Sequence, residues 1–411
     1  MKRKIMMIVN YYYPDIASGA QLMKELTEEI QDEFDLTVLA AIPGYSGNTE
    51  KQYEKGRVFF GKYKDINVMR VWVPKVDKNN KLSRLKYMIS YFFNSIVAIL
   101  KSGKQDVIFA ISQPPIIGGL LGVIAKKIKK AKLIYNIQDF TPEVVEAIGY
   151  SKSKLLIKLA RKIDNYSCSQ SDTVLVVGRD MLETIEKRFG EKHSIKTAVI
   201  NNWVDEKEIY PLDSKHEKII NFKKKYDLED KVVFMYSGNI GLYYDLINIL
   251  KVIEKFKDNK DIVFAFIGDG AVKKEMEEYA ENKCLHNVKF IPYQKKEDLI
   301  YSLNAADIHI VNNAKGIKGV SVPSKIYGVM ATGKSVLGIL EEGSEARLLI
   351  EESNCGICCE PGNYELIEKN IAYMINNSEK YLLNGRKYLE HNLRKKDSID
   401  KYVDLFSNIN L

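Results

Sequence analysis

The stretch Val232-Val233-Phe234-Met235-Tyr236-Ser237-Gly238-Asn239-Ile240-Gly241, just past the middle of a 411-residue chain, decides how the whole is read. Apolar and aromatic residues at 232–236 make a short buried strand, two glycines follow, and an apolar helical stretch, 246–257, comes next. Glycines there let backbone N–H groups approach a phosphate, and a helix N-terminus favours negative charge. A plain glycine turn has the same signature. Phe266-Ile267-Gly268-Asp269-Gly270 repeats the arrangement one unit later, with the same ambiguity.

Working outward, the alternation continues both ways. Strand candidates on the C-terminal side are 262–267, 288–290, 308–311, 335–339 and 356–359, with helices at 273–282, 296–305 and 324–332. On the N-terminal side they are 4–9, 35–39, 67–72, 107–111, 132–136, 173–177 and 197–200, with helices including 20–34, 85–101 and 154–169. The first strand also runs into a glycine-bearing loop, Asp15-Ile16-Ala17-Ser18-Gly19-Ala20. Such alternation predicts parallel sheets covered by helices, and the length exceeds what one core sustains. The expected fold is α/β: two Rossmann-like, doubly wound parallel-sheet domains, 1–205 and 206–391, facing a central cleft. The polar stretch 205–230 reads as the linker.

Composition narrows the class. Hydrophobic residues at 45% and charged residues at 28% describe an ordinary globular chain. The net charge of +8 suggests an anionic partner, phosphates or an acidic lipid surface, but is too diffuse to imply nucleic acid. No zinc-finger spacing, RNA-binding aromatic signature or helix-turn-helix accompanies it. Five cysteines, an odd number without a disulfide framework, fit a reducing compartment. Cys355 and Cys358 form a C-x-x-C, but no matching Cys/His pair lies nearby, so 356–359 reads as a strand entering the Pro361-Gly362 turn and no metal site is expected. The apolar run after Met1-Lys2-Arg3-Lys4 is too short for a signal peptide, and no stretch reaches the roughly 18 apolar residues of a membrane span.

Three places stand out chemically. In Val320-Ser321-Val322-Pro323-Ser324-Lys325, Ser324 sits where a helix N-cap belongs, and Lys325 occupies the first turn against the macrodipole. A bound diphosphate resolves that conflict; a solvated lysine on a helix face is the plainer alternative. Gln138-Asp139 follows a strand end, and Asp139 reads either as a helix cap or as a sugar ligand. Asn201-Asn202-Trp203-Val204-Asp205 follows another strand end, as hinge, cleft wall or turn. A basic run, Lys75, Lys78, Lys81, Arg84, Lys86, Lys101 and Lys104 against Asp77, brackets the apolar segment 85–97, and Lys126, Lys127, Lys129, Lys130 and Lys132 form a second cluster. A basic segment bordering an apolar helix is what an interfacial anchor requires, and a core helix beside a solvated loop is the competing reading.

In order along the chain, Tyr12-Tyr13-Pro14-Asp15 with Gly19-Ala20, Ser112-Gln113-Pro114-Pro115, Asn136-Ile137-Gln138-Asp139, Asn202-Trp203-Val204-Asp205, Ser237–Gly241, Gly268-Asp269-Gly270 and 320–327 resemble the family-4-type GT-B glycosyltransferases. The resemblance is greatest to the subgroup that builds colanic acid, O-antigen and capsule, including L-fucosamine transferases. It implies a retaining hexosyltransferase-type enzyme that needs no metal ion. The second domain would bind a UDP-sugar, and a C-terminal helix, about 392–411, would pack back on the first. It further implies an acceptor built on polyprenyl diphosphate, an N-acetylated amino sugar such as N-acetylfucosamine as donor sugar, and a cytoplasmic enzyme held peripherally at the inner face of the plasma membrane by the segment 75–104.

The expected catalytic residues are Asp139, Gln138 and Lys325. Expected donor contacts are Gly19, Gly238, Asn239, Gly241 and Gly268, with Tyr293, Ser324, Lys325 and Glu345. The chain departs from the family pattern where two glutamates are usual: Val320 and Gly328 stand there. Asn239 and Tyr244 replace the usual Arg and Lys of the first phosphate loop, and Gln138 replaces a histidine. Those departures leave open a UDP-sugar epimerase on the same fold, or a non-catalytic scaffold that binds nucleotide sugar. An epimerase needs tuned cleft acids and bases, and His193, His216, His286, His309 and His391 lack a matching acidic cluster.

Overall fold

A computed structural model describes residues 2–44, 53, 55–76, 80–151 and 153–409. Asp77 and Lys78 of the basic run lie outside the described residues, as does the side chain of Lys81.

The first sheet holds β1 (Arg3–Ile8), β2 (Phe34–Ala41), β3 (Val58–Tyr63), β4 (Ile66–Val71), β5 (Val107–Ile111), β6 (Lys132–Ile137), β7 (Thr173–Val176) and β8 (Thr197–Val199). Their order is β3-β4-β2-β1-β5-β6-β7-β8, parallel throughout except for β3, which runs antiparallel to β4. The second holds β9 (Val232–Ser237), β10 (Ile262–Ile267), β11 (Val288–Ile291), β12 (Ile308–Asn312), β13 (Ser335–Ile339) and β14 (Gly356–Cys359). Its all-parallel order, β11-β10-β9-β12-β13-β14, is the doubly wound arrangement with its crossover between β9 and β12.

The central strands are apolar on both faces because both faces are covered. In β1, Ile5 and Met7 point to the side of α1 (Ser18–Ile30), whereas Met6 and Ile8 point to the side of α2 (Lys81–Lys101) and α3 (Ile117–Lys129). The last helix, Lys395–Asn408, also packs on the α1 side: the Tyr402 ring lies 5.8 Å from Phe109, and Asn136 Nδ2 donates to Tyr402 Oη at 2.9 Å. The chain therefore crosses from the first sheet to the second and back.

Three expectations change. The helix expected over 20–34 ends at Ile30, since Phe34 already opens β2. The hairpin strand β3 was not anticipated, being an edge strand with exposed residues at its centre. Part of the expected linker is the helix Glu217–Lys225, whose Ile219 is buried beneath β9 with Val233 and Met235. The segment 85–97 is a core helix on one face only. Tyr87, Tyr91, Ala98 and Ile99 are buried, while Leu82, Leu85, Ile89, Phe93 and Leu100 form an outward apolar stripe.

Candidate active site

The two glycine loops of the second sheet pack backbone against backbone. A Cβ on Gly268 would stand 1.9 Å from the Gly238 carbonyl oxygen, and one on Gly270 would stand 2.2 Å from that of Ile240. Gly238 and Gly268 also adopt φ values of 146° and 142°, which L side chains rarely tolerate. The N–H groups of Gly238 and Ile240 are spent on Ile267 O and Asp269 O, both at 2.9 Å. That leaves the N–H groups of Asn239 and Gly241 without a backbone partner among the described residues. Gly241 opens a short 3-10 turn, Leu242–Tyr244, and the α-helix then begins at Leu246, where the expected helical stretch starts.

Facing these loops is the N-terminus of the helix Lys325–Thr332. Ser324 precedes it, exposed, and its side chain makes no capping hydrogen bond. Lys325 turns back toward the glycines, with Nζ 3.8 Å from the point a Gly238 Cβ would occupy. Part of its stem is accessible, but the ammonium is buried and has no hydrogen-bond partner. Burial alone drives its pKa well below the ordinary lysine value. Tyr293, beyond β11, is exposed, and its hydroxyl acts electrostatically on Tyr236 and Tyr244.

Asp139 reaches the same place from the first domain. It follows β6 and forms an antiparallel bridge with Ser321, while Phe140 N donates to Val320 O at 2.9 Å across the domains. Burial raises the Asp139 carboxyl above the usual range, a hydrogen bond from Ser321 opposes that shift, and its charge is felt by Tyr243 and Tyr244. Asp139, Ser324 and Lys325 thus meet the glycine loops at one mouth between the sheets.

Other expected residues sit differently. Gln138 has both ends of its amide engaged, donating to Asn136 Oδ1 at 2.7 Å and accepting from Asn202 Nδ2 at 2.9 Å. In this arrangement it braces the strand ends that carry Asp139. Gly19 is the second residue of α1, and a Cβ there would stand 3.1 Å from Gln113 Oε1. Glu345 is buried, and both its carboxylate oxygens are taken: Oε2 by Arg179 N and Nε at 2.7 and 3.0 Å, Oε1 by Asn201 Nδ2 at 2.9 Å. Val320 is buried against Phe140 and Val144, so an apolar contact occupies the place of a glutamate. Among the described residues no group of three or more His, Cys, Asp or Glu side chains is set to hold a metal ion.

Sequence reasoning missed four participants. Tyr236 read as a core strand residue, and Tyr244 only as a replacement. Arg179 and Asp180 gave no local signal, although Asp180 Oδ2 accepts from Gly319 N at 2.8 Å and ties the domains together.

Two facing doubly wound domains with a mouth between them define the GT-B fold. Residues 218–395 match the family described as glycosyl transferases group 1. The chain is 30% identical over 302 residues to the probable glycosyltransferase WbjE of Pseudomonas aeruginosa, covering 71% of each. It is 24% identical over 418 residues to the putative colanic acid biosynthesis glycosyl transferase WcaI of Escherichia coli, covering 98% of this chain and 99% of that one. Among solved structures, sucrose-phosphate synthase from Thermosynechococcus elongatus superposes with a TM-score of 0.77 at 12% identity over 99% of each chain. Anabaena HepE in complex with UDP and glucose superposes with a TM-score of 0.70 at 14% identity over 99% of this chain and 100% of that one. The chain belongs to the group 1 glycosyl transferases, as the family-4-type resemblance implied, and is a glycosyltransferase.

Proposed function

We propose that the protein is a retaining glycosyltransferase. It moves a sugar, an N-acetylated amino sugar such as N-acetylfucosamine, from a UDP-sugar to a polyprenyl-diphosphate-linked saccharide in the synthesis of a capsule- or O-antigen-type surface polysaccharide. The observation that carries this is the Lys325 ammonium, buried without a hydrogen-bond partner beside Gly238 at a helix N-terminus. A diphosphate supplies what that cation and the N–H groups of Asn239 and Gly241 lack. The name of WcaI, a colanic acid biosynthesis glycosyl transferase, and the UDP held by HepE agree with it.

In the reaction, the bond from the anomeric carbon to the diphosphate oxygen breaks as the acceptor hydroxyl forms a new one on the same face. The hydroxyl proton passes to the departing phosphate oxygen, and UDP leaves. Lys325, Ser324 and the loop N–H groups stabilise the charge that develops there, each such donor contributing about 2.7–4 kcal/mol. No enzyme carboxylate acts as nucleophile and no metal ion is required; Asp139 faces the sugar and acceptor.

The acceptor is met at an anionic membrane. No helix among the described residues is long and apolar enough to cross one. Instead, α2, α3, the short α4 (Thr141–Ala147) and α5 (Lys154–Gln170) follow β4, β5 and β6 in turn; α3 packs beside α2 and α5. Beside the outward stripe of α2, α5 exposes Leu155, Leu156 and Leu159 at 76%, 62% and 53%, with Lys158 among them and Lys154 and Lys162 flanking them. Both helices begin at the strand carboxyl ends, where the cleft lies, so a lipid-borne diphosphate at that surface is within reach of the site. On this reading the enzyme attaches peripherally to the cytoplasmic leaflet.

The test is UDP release from a panel of UDP- and GDP-sugars, with and without lipid-diphosphate saccharide in anionic vesicles, in the presence of EDTA. Release that needs one UDP-sugar and the lipid acceptor, undiminished by EDTA, supports the whole reading. Binding of UDP-sugar without release from any acceptor makes the protein a scaffold, and inversion of the donor sugar without release makes it an epimerase.

A further inference from the structure

An ammonium buried without a hydrogen bond needs some other source of stabilisation, and two tyrosines supply it. Lys325 Nζ lies 3.6 Å from the ring centroid of Tyr236 and 4.1 Å from that of Tyr244. The two rings are 5.9 Å apart at 64° to one another, so the ammonium meets a face of each. No carboxylate lies within ion-pair distance of Lys325 among the described residues.

We propose that Tyr236 and Tyr244 are positioning residues for Lys325, forming an aromatic cage that holds its ammonium at the glycine loops and presents it to the donor's diphosphate. The proposal rests on the reading of Lys325 as a diphosphate ligand. A ring face attracts a cation through its quadrupole and carries no net charge. A carboxylate in the same place would neutralise the lysine before the donor arrived and would then repel the phosphates. The cage adds no negative charge that would compete with the phosphates for the lysine.

The cage is also built into the loop it serves. Tyr236 is buried on β9, and its hydroxyl donates to Asn239 O at 2.6 Å, across the turn that carries Gly238. Tyr244 closes the 3-10 turn that follows, where its backbone carbonyl accepts from the side chain of Asn312 on β12. Loop shape and lysine position are thus fixed by the same two residues. Where the family pattern places a basic residue at 244, this chain has one wall of a cage around a different cation.

The experiment measures UDP affinity by calorimetry for Tyr244→Phe, Tyr244→Leu, Lys325→Met and the Tyr244→Leu/Lys325→Met double variant, with thermal unfolding recorded for each. Tyr244→Phe keeps the ring face and should bind UDP within about twofold of the unaltered protein, whereas Tyr244→Leu should lose about tenfold. In the Lys325→Met background, Tyr244→Leu should cost little more, because the cation it positions is gone. An equal loss in both backgrounds, or no loss in either, overturns the cage. If Lys325→Met itself binds UDP as tightly as the unaltered protein, the reading of Lys325 as a diphosphate ligand falls, and the cage falls with it.

Discussion

Glu345 Oε2 accepts from Arg179 Nε at 3.0 Å and from the Arg179 backbone N–H at 2.7 Å, so a buried carboxylate of the second domain is clasped by one residue of the first. The Arg179 side chain is nearly half exposed and also reaches Glu352 at 2.7 Å, so only the Glu345 end is shielded from water. Glu345→Ala leaves the donors of Arg179 and Asn201 without their acceptor and should cost about 1–3 kcal/mol of stability. A double-mutant cycle with Arg179→Ala on thermal unfolding measures it, and the second substitution should add little to the first.

Asp180 supplies a pH dependence at the same interface. Burial raises its carboxyl from the ordinary 3.8 to about 6, against the hydrogen bond from Gly319. The folded protein therefore holds that proton more tightly than the unfolded chain. The contribution is fully present below about pH 4, falls as pH rises to about 6 and is flat above. Asp180→Asn should lose this slope, so the unfolding temperatures of variant and parent should converge or cross between pH 7 and pH 4. Parallel curves over that range would count against the assignment.

Gly268→Ala tests the packing of the glycine loops. The added methyl would collide with the Gly238 carbonyl at 1.9 Å, on a backbone already at φ 142°. UDP binding should be lost, and stability should drop by about 1–3 kcal/mol. Gly61→Ala, on the edge strand β3 with open space around it, is the control and should leave UDP binding unchanged.

The exposed leucines predict membrane behaviour. Leu155→Ser with Leu159→Ser should lower the affinity for anionic vesicles, read by sedimentation, by about a hundredfold or more, because each exposed apolar side chain that inserts contributes about 1.5–3 kcal/mol. Raising salt should weaken the binding of the parent as well, through Lys154, Lys158 and Lys162. UDP affinity measured without vesicles should not change in the variant.

What sequence reading reached, and what it missed, follows from how local the signal is. Strands buried on both faces announce themselves as apolar runs, so nearly every parallel strand was legible, including 356–359 with its cysteines. The edge strand β3 has no such run. Glycines at 238, 241 and 268 marked their turns, but not which N–H groups would be spent within the fold. Lys325 stood out because it opposes a helix dipole. Its tyrosines lie some 80 residues away in sequence, on a strand and a turn with reasons of their own to be aromatic. Glu345 was noticed alone, since nothing nearby in sequence names Arg179 or Asn201 as its partners. The segment 85–97 offered two readings; its buried face is that of a core helix, and its outward face is an exposed apolar stripe whose membrane role belongs to the proposal.

The last helix bears on how the molecule is made. Ile399, Tyr402 and Phe406 close the same core as Phe34 and Phe109, more than 280 residues earlier in the chain. A ribosome releases those early strands long before the helix that covers them. The second domain, contiguous in sequence, can be finished on the way, while the first waits with an open apolar seam. A gene fragment encoding only the first 205 codons should therefore yield a sticky, chaperone-dependent product, and grafting residues 393–409 onto it should restore a soluble one.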